Sequence, residues 1–100
     1  MLKSKTARIY VRVYRVATSF NGHFTTEEFV RRFSVRFPIT WRYLVRKYAP
    51  SGKGAGHPYS AASRVSQMLR RLAYQGQIKR QRYVVASQSW GSPWVRTWRV

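Results

Sequence analysis

The stretch from Ser60 to Val100 constrains the fold most, because its hydrophobic period changes once, at Gly76. Ala62, Val65, Met68, Leu69 and Leu72 recur at three- and four-residue steps and so share one stripe of a helix. Ser60 suits an N-cap and Gly76 suits the position just past a helix C-terminus, so the spacing predicts a helix over 60–75. The opposite face carries Ser63, Gln67, Arg70, Arg71 and Tyr74, with Arg64 at its edge. It offers donors and acceptors for base edges and cations for phosphate, and no carboxylate to repel a polyanion. Beyond Gly76 the residues are β-rich. Ile78 to Ala86 and Trp94 to Val100 read as two strands around a turn at residues 87–93. Trp94 and Trp98 fall on one face of the second strand, and both are expected in the core.

Charge sets the function class. Twenty Lys and Arg stand against two acidic residues, for a formal net charge of +18. Solubility alone needs roughly 2–8 units in a small domain, so a polyanionic partner is expected. Fifteen of the twenty are Arg, whose planar fork suits phosphate, guanine edges and stacking on bases. The hydrophobic fraction of 44% suffices for one small core in 100 residues. No apolar run is long enough for a bilayer, so no membrane partner is expected. Arg8, Arg12 and Arg15 interrupt any signal-peptide core. The expected setting is intracellular (cytoplasm or nucleoid) or within a virion, and not secreted. The absence of cysteine fits that and excludes disulfides and thiolate metal sites.

Upstream of Ser60 the signals are less uniform. Over residues 7–20, Ile9, Val13, Val16 and Phe20 match helical steps, while Ile9, Val11 and Val13 also alternate as a strand would. A helix is preferred there. Asn21-Gly22 marks a turn. Thr25 and Glu28 then have capping-box spacing, with Phe24 and Phe29 as a hydrophobic staple. Glu27 and Glu28 fall in that helix's first turn, where its dipole favours negative charge. The helix continues through Val30 and Phe33 and has ended by Pro38. Trp41, Leu44, Val45 and Tyr48 predict a further amphipathic helix from Thr40 to Ala49, stopped by Pro50. The basic loop 51–56 carries Lys53 and lacks the order of a phosphate-binding loop. Its readings are a connector or a mobile segment that lays Lys53 on a nucleic-acid backbone.

Catalysis has little to draw on. Both carboxylates are expected at a helix cap, and His23 and His57 are far apart in the chain. Zinc needs about four converging ligands, and phosphoryl transfer needs carboxylates to hold magnesium. No enzyme activity, metal or cofactor is expected.

The order of capped helix, glycine, basic strand, turn and aromatic strand resembles the winged helix-turn-helix superfamily. The resemblance implies an α+β fold with three to four helices and a C-terminal two-stranded hairpin wing. It covers the whole chain as one domain and rests on general layout alone. The chain departs from the plain pattern, in which about 3–4 residues join the paired helices. Here an inserted helix and flexible loop occupy residues 40–57. The resemblance also implies that the helix over 60–75 enters a major groove, presenting Ser63, Arg64, Gln67, Arg70 and Arg71. The ribbon would follow the backbone or an adjacent minor groove with Lys79, Arg80, Arg82, Arg96 and Arg99. Trp90, at the turn, either stacks on a base or folds back onto the domain.

Two functions follow. One is a DNA-binding winged-helix protein, a small transcriptional or architectural factor that holds mainly the phosphate backbone. The alternative is a winged-helix ribosomal or other RNA-binding structural protein. Duplex DNA is the favoured partner and rRNA the second, and the sequence leaves homodimerisation open.

Overall fold

The computed structural model describes residues 4–48, 60–90 and 92–100. Four helices and three strands follow in the order α1 (Lys5–Ala17), β1 (His23–Thr25), α2 (Thr26–Arg36), α3 (Pro38–Tyr48), α4 (Ala61–Tyr74), β2 (Lys79–Val85) and β3 (Trp94–Arg99). The fold is α+β, with a small antiparallel sheet in the spatial order β1-β3-β2.

The ambiguous first segment is a helix. Ser4 caps it by accepting from the Ala7 amide at 3.1 Å. Ile9, Val13 and Val16 are buried, whereas Val11, which a strand would have placed with Ile9 and Val13, is exposed. Thr25 and Glu28 form the complete capping box of α2, with bonds of 3.0 and 2.8 Å, and the Phe24 and Phe29 rings lie 6.1 Å apart. From Phe24 an aromatic ladder continues through Phe29, Phe33 and Trp41, which ties β1, α2 and α3 into one core.

The third helix opens earlier than Thr40. Pro38 is its first residue, where the missing N–H costs nothing, so one proline both ends α2 and begins α3. Leu44 is fully buried and Trp41 and Tyr48 pack against the core, while Val45 is left 39% exposed. The expectations for Ala49, Pro50 and the loop 51–56 lie outside the described residues.

The expected apolar stripe of α4 is entirely buried. Ser60 accepts from the Ser63 amide at 3.1 Å. At the other end Gly76 has φ +78°. The Gln77 N–H reaches Leu72 O at 2.9 Å and the Gly76 N–H reaches Ala73 O at 3.0 Å, the paired bonds of a Schellman motif.

The sheet corrects the two-stranded expectation. Residues 23–25 add a third strand on the free side of β3, pairing His23 with Arg99, Phe24 with Trp98 and Thr25 with Thr97. This strand pairs the backbone of β3 at the base of the hairpin and makes β3 the central strand. Beyond it only β2 and β3 pair, with Tyr83 opposite Arg96, Val84 opposite Val95 and Val85 opposite Trp94.

Trp94 is the second correction. Trp98 is 1% exposed and Trp94 is 55% exposed, although both were expected in the core. Val95, which follows Trp94 and faces the other way, is 3% exposed, so at the outer end of β3 the buried residue is Val95 and not Trp94.

Candidate nucleic-acid interface

On α4 the packing of the apolar stripe settles which side chains face outward. Gln67, Arg70, Arg71 and Tyr74 are exposed, and Ser63 and Arg64 are half-buried at the margins. Arg64 Nη1 donates to Gln67 Oε1 at 3.4 Å, and its guanidinium carbon lies 6.0 Å from the Tyr48 ring. Arg71 sits 5.9 Å over the ring of Tyr10 from α1. Together Tyr10, Arg64, Gln67, Arg70, Arg71 and Tyr74 line an open groove of about 510 Å³. Three guanidinium groups thus converge on one concave surface that no carboxylate lines.

Beside the N-terminal half of α4 lies a smaller hollow of about 220 Å³, where Ser63 and Ser66 meet Tyr83, Trp90, Trp94 and Arg96 of the sheet. Trp90 belongs to a short 3-10 turn at Gln88–Trp90. Half-buried, it lines this hollow, so it has folded towards the domain and is not a free tip.

A register shift between Arg80 and Tyr83 interrupts the β2–β3 pairing. Such an irregularity leaves ladder carbonyls unmatched, and side chains of β3 take them up. Arg96 Nη1 donates to Gln81 O at 2.8 Å, and Thr97 Oγ1 donates to Arg82 O at 2.6 Å. The Arg96 guanidinium also lies 3.9 Å over the Tyr83 ring. Arg96 is therefore held in place before any ligand arrives. Lys79, Arg80 and Arg82 are exposed along β2, and Arg99 is half-buried at the sheet's base, between His23 and Lys79. None of these four lines either hollow. Lys53 lies outside the described residues.

The structure thus gathers Arg64, Gln67, Arg70 and Arg71 in one groove, places Ser63, Trp90 and Arg96 around the second hollow, and spreads the remaining cations along the sheet. Tyr10, Tyr83 and Trp94 were missed. Alternation along β2 sets Tyr83 on the face opposite Arg80 and Arg82 and so gave no signal for its exposure, which accompanies the register shift, and nothing local ties Tyr10 to α4.

The acidic side chains are engaged in structure. Glu28 completes the capping box. Glu27 pairs with Arg31 at 3.2 Å and accepts from the Ser87 hydroxyl, which links α2 to the turn after β2. Lys47 donates to Tyr43 Oη at 3.4 Å; that bond first, and attraction to Tyr48 next, raise its pKa above the ordinary lysine value. Among the described residues no three His, Cys, Asp or Glu side chains converge, and no helix is long and apolar enough to cross a membrane. No protein-family model matches the chain, and neither a curated protein nor a solved structure matches it.

Proposed function

We propose that this chain is a DNA-binding winged-helix protein, a small transcriptional or architectural factor that grips duplex DNA mainly through its phosphates. The observation that carries this is the outward face of α4, where Gln67, Arg70 and Arg71 stand exposed on a helix capped at both ends. A strand bearing exposed Lys79, Arg80 and Arg82 follows it directly. Guanidinium groups on a groove-sized helix can bind phosphate and, at favourable positions, guanine edges, while Gln67 can address adenine. The helix–strand–strand order, with a short strand ahead of α2, supports the winged-helix assignment. The protein acts by binding, in a compartment that holds nucleic acid or inside a virion, and needs no cofactor.

A second reading, a structural protein embedded in RNA, is favoured by one observation. Arg8, Arg15, Arg31, Arg42 and Arg46 are exposed on α1, α2 and α3, away from the groove at α4. Cations on several faces suit a protein surrounded by its polyanion. Competition among duplex DNA, duplex RNA and folded rRNA fragments at one salt concentration separates the two. Duplex DNA should displace the others, and preferential retention of folded RNA would replace the first reading by the second.

A further inference from the structure

We propose that the outer half of the hairpin is a stacking site for an unpaired nucleobase, set between Tyr83 and Trp94. The proposal rests on the nucleic-acid reading above and adds to it a site for strands with an accessible base. Tyr83 is 53% exposed and Trp94 is comparably open, two large rings exposed side by side at one end of the hairpin. Both line the hollow beside α4, and with Ser92 they also line an adjoining depression of about 540 Å³. Among the described residues the two rings make no ring-to-ring contact; the Arg96 guanidinium lies over the Tyr83 ring, so the room for a planar group is against Trp94 and the exposed remainder of Tyr83.

Three features point to a base. Arg96 is already fixed over Tyr83 by its bond to Gln81 O, so a cation is preset beside the aromatic surface. Ser66 on α4 lines the same hollow and brings a half-buried hydroxyl to it, which suits the polar edge of a base. No carboxylate lines either depression, while Arg80 and Arg82 on β2 supply cations for the flanking phosphates. An aromatic surface next to a cationic track is the combination that holds single strands with little sequence preference.

The test uses the full chain and two oligodeoxynucleotides of equal length and charge, one an unstructured oligothymidylate and the other entirely abasic. Binding is followed by fluorescence anisotropy and tryptophan quenching. The base-bearing strand should bind about tenfold more tightly or better for each stacked base, with quenching. Trp94→Ala should abolish that difference, bringing the affinity for oligothymidylate down to the abasic level, whereas Trp94→Phe should retain most of it. Equal affinities for the two strands, or a difference indifferent to Trp94→Ala, would overturn the proposal while leaving duplex binding intact. A sedimenting dimer that Trp94→Ala dissolves would overturn it in favour of a second copy of this chain. Loss of affinity for duplex and single strand alike in the unaltered protein would reject the nucleic-acid reading itself.

Discussion

The indole Nε1 of Trp98 donates to Thr26 Oγ1 at 2.9 Å, and both side chains are almost completely buried. The bond joins the central strand to the first residue of α2, seventy-two positions away in sequence. It fixes the base of the hairpin against the helical core. Thr26→Val keeps the shape and strands a buried donor, which costs about 1–3 kcal/mol. In a domain of this size each kcal/mol is worth about 4–8 °C, so calorimetry should register a clear fall in Tm. Thr26→Ser, which keeps the hydroxyl, should lose less. Indistinguishable melting of the valine variant and the parent would show that the bond contributes nothing.

Gly76 makes a second stability prediction. A Cβ there would meet nothing within 4 Å, so any cost of substitution comes from its φ of +78° and not from crowding. Gly76→Ala should destabilise by about 1–2 kcal/mol, the penalty of a left-handed backbone for an ordinary residue. Gly76→Asn should cost less, because asparagine tolerates that region. Chemical denaturation of the three proteins orders them, and alanine equal to glycine would remove the Schellman cap from the account.

Self-repulsion should also be measurable in the free protein. A net charge of +18 is relieved by few contacts, and Glu27–Arg31 is the one ion pair among the described residues. Raising salt from about 0.1 to about 1 M shortens the screening length from about 10 to about 3 Å. The unliganded protein should therefore melt several degrees higher in the stronger salt. A Tm that is flat or falling over that range would contradict the electrostatic view of its stability.

Much of this architecture was legible in the sequence where period and capping agreed. In α4, Val65, Met68, Leu69 and Leu72 are spaced for one face, and Ser60 and Gly76 close the ends without help from the rest of the fold. The capping box at Thr25 and Glu28 is equally local. β1 escaped notice because three residues have no measurable alternation, and its existence depends on pairing with β3 far along the chain. Trp94 was misplaced as well. Alternation assigns it to the same face as Trp98, but at the outer end of β3 the buried residue is its neighbour Val95, on the opposite face. The groove at α4 was legible on one wall only, since Tyr10 reaches Arg71 through the packing of α1.

The most direct measurement is the affinity of duplex DNA against salt for the parent, the Arg70→Ala/Arg71→Ala variant and the Arg8→Ala/Arg15→Ala variant. If the protein neutralises ~6–10 phosphates, its affinity should fall ~10³–10⁵-fold between about 50 and about 200 mM salt. Removing Arg70 and Arg71 should lower the salt slope by about 2 and weaken binding far more than removing the exposed pair on α1. Equal losses from the two pairs, or a parent affinity indifferent to salt, would contradict the assignment of the α4 face as the surface that meets nucleic acid.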